Sequence, residues 1–339
     1  MSSFRNFVVI KNFILPTIMP PLKKLSGNWY NEKIYYKYHI YKMPFLLSGL
    51  TRLLFMPIAL WVQIMNEFIR NRLEIPHVEM HITTRCNLQC KDCANLIPFY
   101  EHPVDFEIGL LTQDVEDFLD NVDRVHRFIV MGGETFLYRE LYRLLSYLIK
   151  QEKIDLVHLF TNGSIIPGKD ILRLLRHRKI MVSISSIPID VSFNKHRVIA
   201  AFDANNINYL VEYNMWRDLG GFNPDVDSST EVIKHRFANC KSKICHNLSD
   251  GEYHLCPRSI HGERLGQFSP DESDKVIFRD RKNPQAIKKE LRKLLRKEYI
   301  AACGKCKGSR KETLRPGIQM DRSSFIKLPE KDDRDFHHI

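Results

Sequence analysis

Three cysteines stand close together in Thr83-Thr84-Arg85-Cys86-Asn87-Leu88-Gln89-Cys90-Lys91-Asp92-Cys93, a C-x3-C-x2-C array. Thiolates are soft ligands that suit zinc and iron–sulfur chemistry. Three of them on one short loop can converge on one face of an iron–sulfur cube, leaving a fourth iron without a protein ligand. An open iron is a place for a small chelating molecule to bind. The spacing alone establishes a three-thiolate site; zinc or a chance grouping would use the same residues.

The array needs a scaffold that aims it. Val78-Glu79-Met80-His81-Ile82-Thr83, just upstream, alternates as a β-strand does, so the cysteines sit on a loop leaving a strand. Downstream, Leu111, Val115, Phe118, Leu119 and Val122 recur at helical spacing. Residues 125–131 read as a buried strand that runs into Gly132-Gly133-Glu134-Thr135. A helix with Leu141, Leu144, Leu145 and Leu148 on one face follows, then a strand over 155–160 that ends at Thr161-Asn162-Gly163. A third helix carries Ile171, Leu172, Leu174 and Leu175. A strand over 180–185, a helix over 197–205 and a strand over 207–211 complete the series.

Such alternation with short links predicts parallel β-structure with right-handed crossovers. The expected fold is α/β, an open partial barrel with its chemistry at the C-terminal strand ends. Paired glycines there let a backbone approach a ligand closely. They also suit an ordinary strand-to-helix turn, and Asn162-Gly163 is itself a turn signal. Ser183 and Ser185 share one face of their strand, either toward a ligand or packed within the sheet.

The array, with Asn87-Leu88 after its first cysteine, resembles the cluster loop of radical S-adenosylmethionine (SAM) enzymes. Gly132-Gly133-Glu134-Thr135 resembles that family's Gly-Gly-Glu-Pro segment, with Thr135 in place of proline, and Thr161-Asn162-Gly163 resembles a strand end common in it. The resemblance implies a partial (β/α)6 barrel. It also implies a [4Fe-4S] cluster on Cys86, Cys90 and Cys93 whose open iron binds the amino and carboxylate groups of SAM. Reduction, by an electron donor such as flavodoxin or ferredoxin, then cleaves SAM to a 5′-deoxyadenosyl radical that takes a hydrogen atom from substrate. Glu134 would accept from the SAM ammonium, Gly132 and Gly133 would approach the cofactor, Asn162 would line the cavity, and Ser183 and Ser185 would reach the ribose or carboxylate. One departure stands out: Asp92 occupies the place of an aromatic residue that helps hold adenine, which leaves backbone, Phe99 and Tyr100 as the expected contacts.

Five more cysteines follow, Cys240, Cys245, Cys256, Cys303 and Cys306. Residues 245–257 read as a hairpin around Asp250-Gly251. Cys303-Gly304-Lys305-Cys306 is a C-x2-C knuckle. Between them a basic amphipathic helix over 284–300 has Asn283 as its cap, Pro284 at its first position, and an apolar stripe of Ile287, Leu291, Leu294 and Leu295. The arrangement resembles the SPASM/twitch extension of radical SAM enzymes, which implies an auxiliary [4Fe-4S] cluster. Four thiolates complete such a cluster; the expected set is Cys245, Cys256, Cys303 and Cys306, with Cys240 as a replacement for Cys245 or part of a second, incomplete site. A structural zinc ribbon with four cysteine ligands is the alternative.

The 339 residues, 44% hydrophobic and 27% charged, are those of a folded globular protein. Four segments are expected: an N-terminal helical segment over 1–74, the radical SAM core over 75–225, a small α+β cluster-binding extension over 226–310, and a charged tail over 311–339 without a core of its own. No small-residue cleavage site follows residues 1–16, so a reducing, cytoplasmic setting is expected. Residues 45–65 are strongly apolar, but Arg52 and Pro57 oppose a membrane span, since a central arginine costs about 2.5–3.5 kcal/mol. Either this run packs as a helix pair, or it attaches peripherally to an anionic membrane surface with help from the flanking Lys23, Lys24, Lys37, Lys42, Arg70 and Arg72.

The net charge of +11 suits an anionic partner or a merely solvated basic surface. No RNA-binding signature is present, so there is no strong case for nucleic acid. The short extension and basic charge favour a sugar-like or nucleotide-linked substrate. A peptide-modifying (maturase) enzyme is the alternative. A non-catalytic Fe–S or zinc protein is the rival of another class, though it would leave the Gly-Gly-Glu and Thr-Asn-Gly strand ends unexplained.

Overall fold

The alternation of strand and helix periods builds a mostly parallel sheet. The computed structural model describes residues 72–188, 190–213, 215–222, 224–226, 229–279, 283–308 and 313–320. The apolar run over 45–65 lies outside the described residues, and no described helix is long and apolar enough to cross a membrane. In chain order the core elements are β1 (Glu74–His81), α1 (Ile108–Asn121), β2 (Arg124–Met131), α2 (Leu141–Leu148), β3 (Ile154–Thr161), α3 (Lys169–Leu175), β4 (Ile180–Ile184), α4 (Lys195–Ala204) and β5 (Tyr209–Val211). Beyond β5 the chain adds β6 (Trp216–Arg217), then in the extension α5 (Thr230–Ala238), β7 (Asn247–Ser249), β8 (Glu252–His254), α6 (Pro257–Arg264), β9 (Lys275–Ile277) and α7 (Pro284–Leu295), and in the tail β10 (Thr313–Leu314).

The main sheet runs β5-β4-β3-β2-β1-β7-β8-β9 and stays open. Neighbours from β1 to β5 pair in parallel, and the register sets His81 beside Met131 and Thr161 beside Ile184. Among the described residues a sixth parallel strand, β7, joins the other edge of β1, with Glu79 opposite Asn247. It carries β8 and β9 with it as antiparallel neighbours. The extension therefore continues the sheet of the core. The small α+β character expected for it is present, and β6 and β10 form a separate antiparallel pair.

Strand alternation sorts the two faces. Val78, Met80, Ile82, Phe128, Val130, Val157, Leu159 and Val182 join the main apolar core, together with Leu111, Val115, Phe118, Leu141, Leu144 and Leu148 from the helices. The alternate positions His77, Glu79, His81, Arg127, His158 and Ser183 are buried and polar. Helix starts follow their local chemistry: the Glu107 carboxylate accepts from the N–H groups of Gly109 and Leu110 at α1, and Asn283 Oδ1 accepts from Ala286 N at α7. At the N-terminal strand ends, His126 lies between Asp155 (2.9 Å) and Glu74 (3.2 Å), and Arg124 also pairs with Asp155. Burial alone would lower the His126 pKa, but the two carboxylates raise it. These ion pairs tie β1, β2 and β3 together at the end away from the cysteine loop.

Phe118 of α1 stacks on Tyr253 of β8 at 5.5 Å and meets Phe278 edge-on at 5.6 Å. One ring thus joins the core helix to the extension. Phe118→Ala should cost about 3–5 kcal/mol and lower the stability of both parts in one transition. Denaturant unfolding followed by far-ultraviolet circular dichroism checks this; two separated transitions would mean the parts do not share this core.

Candidate functional site

The cysteine loop leaves β1 in a fixed direction. Thr84 N donates to Val104 O (2.9 Å) and Phe106 N to Ile82 O (3.1 Å). Asp105 accepts from Thr83 Oγ1 at 2.7 Å and pairs with Arg85 at 2.9 Å. On the other side, Gly133 N donates to Thr83 O and Glu134 N to Arg85 O, both at 2.9 Å. A Cβ on Gly132 would lie 2.4 Å from Thr83 O, and one on Gly133 only 2.1 Å from Arg85 O. The close approach that these glycines permit is therefore to the backbone of the cysteine loop.

Glu134 is fully buried, at 0% exposure. Its Oε1 accepts from Thr161 Oγ1 (2.7 Å) and Phe136 N (3.1 Å), and its Oε2 from Asn162 N (2.8 Å). Burial pushes its carboxyl up, and those three donors pull the other way. Thr135, where the resembling motif has proline, donates its hydroxyl to Phe160 O at 2.6 Å. The end of β2 is thereby bonded to the end of β3. Asn162 continues the chain of contacts: its Nδ2 donates to Asn87 Oδ1 at 3.0 Å and lies 3.8 Å from Cys86 Sγ. Three strand ends thus converge on the loop that carries Cys86, Cys90 and Cys93.

The three thiols are free, and Cys90 is buried. Burial pushes the Cys86 and Cys90 thiols up to about 12 and raises that of Cys93. A metal charge would reverse that penalty and favour the thiolates. Ser183 is buried, with its hydroxyl 2.9 Å from His158 Nε2. Ser185, just past β4, holds its backbone to Thr161 O and accepts from Lys195 Nζ at its carbonyl. Of the rings expected at adenine, Phe99 stacks on Phe222 at 4.5 Å, and Tyr100 Oη is 2.7 Å from His261 Nδ1.

A cavity is lined by Cys240, Cys256, Cys303 and Cys306, with Arg236 and Arg258 beside them. Cys240, the expected replacement for Cys245, is the one found with Cys256, Cys303 and Cys306. Cys245 does not line the cavity; the single turn over Ser242–Ile244 separates it from Cys240, and its thiol bonds to Glu79. Burial pushes the Cys303 thiol up to about 12 and raises those of Cys256 and Cys306. Arg258 is 4% exposed and donates to Gly221 O (2.7 Å) and Lys305 O (3.1 Å), yet no carboxylate among the described residues pairs with it. Buried guanidinium beside four thiols fits an anionic metal–thiolate centre, whose charge would compensate it.

Two other ligand-type groups carry their own cations. His77, Glu79 and Cys245 offer atoms within 4.8 Å of one another. However, Arg127 Nη2 lies 3.2 Å from His77 Nδ1, which makes that nitrogen the acceptor and turns the Nε2 proton toward Glu79. Glu252, His254 and Glu263 surround Lys275, whose Nζ lies 2.9 Å from Glu252 and 2.8 Å from Glu263.

Part of the tail is placed by the loop. Residues 313–320 dock on the cysteine loop: Lys91 N donates to Ile318 O (2.8 Å) and Met320 N to Gln89 O (2.7 Å). Nothing local in the sequence marks Gln319, Asp105 or Arg258 as neighbours of these sites; all three arrive through contacts distant in the chain.

Residues 80–212 match the family described as the Radical SAM superfamily. The chain carries a radical SAM domain. The match runs from within β1 to one residue past β5, so it takes in the cysteine loop and the converging strand ends, and the extension lies beyond it. No curated protein sequence matches the chain. Among solved structures, the chain is similar to anSMEcpe with bound AdoMet and a Cp18Cys peptide, at 20% identity over 41% of this chain and 42% of that one, TM-score 0.33. It is similar to Streptococcus suis SuiB bound to S-adenosylmethionine, at 17% identity over 54% and 46%, TM-score 0.34. It is also similar to BtrN in complex with AdoMet and 2-DOIA, at 12% identity over 73% and 97%, TM-score 0.40. The chain thus spans about two fifths of the length of the first of these.

The glycine contacts of this radical SAM domain give a direct test. Gly133→Ala should force Arg85 O, and the cysteine loop with it, away from the end of β2, with an overpacking cost of about 1–3 kcal/mol, and reduce the iron retained after reconstitution. Gly168→Ala, whose Cβ would meet nothing within 4 Å, should leave both unchanged. Equal iron retention and melting temperature in Gly133→Ala and the unmodified chain would contradict the clamp.

Proposed function

We propose that this chain is a radical SAM enzyme with two [4Fe-4S] clusters, one on Cys86, Cys90 and Cys93 and one on Cys240, Cys256, Cys303 and Cys306, acting on a sugar-like or nucleotide-linked small molecule. The observation that carries the reading is the convergence of three strand ends on a loop with three free, neighbouring thiols. The chemistry supplied by the bound groups is reductive cleavage of SAM to a hydrogen-abstracting radical, with the electron coming from a donor such as flavodoxin or ferredoxin.

The protein's own residues position and enclose. Asp105, Gly133 and Asn162 hold the cysteine loop at its start, its flank and its first cysteine. A carboxylate has about four acceptor sites, and Glu134 uses three of them within the chain. We assign the remaining one, on Oε2, to the SAM ammonium. Asn162, 3.8 Å from Cys86 Sγ, is assigned to the same SAM site. Of the two serines, Ser185 is the one assigned to SAM, because Ser183 already has His158 as its partner. Arg236 and Arg258 supply positive charge beside the second set of thiols, which supports a dianionic tetrathiolate cluster there. The net charge of +11 supports an anionic substrate over a neutral one.

Reduced, anaerobically reconstituted protein should convert SAM to methionine and 5′-deoxyadenosine. The variant with Cys86, Cys90 and Cys93 all changed to Ala should produce none. Liquid chromatography of the products decides; a reconstituted, reduced chain that leaves SAM intact would overturn the proposal.

A further inference from the structure

Gln319 reaches the cysteine loop from the far end of the described chain. Its side-chain amide makes three contacts: Oε1 accepts from Gln89 N at 2.7 Å, while Nε2 donates to Gly317 O at 2.7 Å and to Cys90 Sγ at 3.3 Å. Gln89 N is a donor and Gly317 O an acceptor, so these two neighbours fix which end of the amide faces which way. One N–H goes to the carbonyl and the other to the sulfur. The backbone holds this geometry in place, because Lys91 N and Met320 N make reciprocal bonds with Ile318 O and Gln89 O on either side. The strap over 313–320 is thereby laid along the middle of the loop, and Cys90 is the most enclosed of its three cysteines.

We propose that Gln319 is a positioning residue that donates a hydrogen bond to the Cys90 sulfur and raises the reduction potential of the cluster at Cys86, Cys90 and Cys93. The inference rests on the reading of that loop as a cluster site. Reduction adds one electron to the cluster, so the reduced form carries one more negative charge. An N–H dipole aimed at a ligand sulfur stabilises that form more than the oxidised one. Covering Cys90 works in the opposite direction, since a drier site disfavours the more highly charged state. The strap thus excludes water from the loop while its one sulfur-directed donor limits the fall in potential that exclusion would bring. Asn162 Nδ2 at 3.8 Å from Cys86 Sγ is the corresponding, longer contact on the other side of the loop.

Two variants separate the donor from the cover. Gln319→Leu keeps an apolar cover and removes both amide functions. Gln319→Glu keeps an acceptor for Gln89 N but replaces the sulfur-directed donor with negative charge. Each reconstituted full-length protein is titrated with dithionite and followed by electron paramagnetic resonance, and the cluster at the loop is identified as the one whose signal changes on adding SAM. The proposal expects full iron content in both variants and a potential that falls from the unmodified chain to Gln319→Leu and further to Gln319→Glu. Full iron content with an unchanged or higher potential in Gln319→Glu would overturn the assignment of Gln319 alone. Loss of the loop cluster from both variants would also overturn it, making the residue a latch without a redox role. Failure of the unmodified chain to bind a cluster at the loop would overturn the underlying functional reading, and this inference with it.

Discussion

The contact between the glycine pair and the cysteine loop constrains everything above the sheet. Gly132 and Gly133 bring backbone to within a distance of Thr83 O and Arg85 O that no side chain would allow. Two hydrogen bonds then run from the end of β2 into the loop. Glu134 is carried along by that geometry into full burial, where it faces the end of β3 and organises Thr161 and Asn162. Asn162 in turn touches Asn87 and faces Cys86. The loop is aimed by a succession of short, directional bonds between neighbouring strand ends. Parallel pairing makes this possible, because it brings the C-terminal ends of β1, β2 and β3 to one edge.

In the same region burial keeps the loop cysteines as neutral thiols, and a bound cationic centre would favour their thiolates. Buried thiols resist ionisation, and the loop cysteines are pushed well above their ordinary range by burial. In the cavity at Cys240, Cys256, Cys303 and Cys306, thiols raised by burial stand beside Arg258, a buried guanidinium bonded only to backbone carbonyls among the described residues. A metal–thiolate centre converts the thiols to thiolates and surrounds the cation with negative charge at once. By contrast, Lys275 between Glu252 and Glu263 is a closed ion-pair set that asks for nothing further.

Much of this was readable from short-range pattern. The strand–helix alternation predicts the parallel sheet, and the cysteine array, Gly132-Gly133-Glu134 and Thr161-Asn162-Gly163 fall at strand ends as expected, because each is set by residues next to one another in the chain. What was not readable depends on distant pairing. That Cys240 and not Cys245 lines the cavity goes with β7 docking on β1, where Cys245 bonds to Glu79. Tyr100 is occupied by His261, from which it is 161 positions distant in sequence. Gln319 meets Cys90 across 229 positions. The tail reads as charged and coreless, yet residues 313–320 gain their place from backbone bonds to the loop, which composition does not reveal.

Metal analysis tests the proposed pair of separate thiolate centres most directly. Anaerobically reconstituted chain should hold about eight irons, from two four-iron clusters. Changing Cys86, Cys90 and Cys93 together to Ala should leave about four, Cys240→Ala should lower the remainder, and Cys245→Ala should preserve it. Zinc in the cavity at Cys240, Cys256, Cys303 and Cys306, or iron that depends on Cys245 and not on Cys240, would contradict the two-cluster proposal.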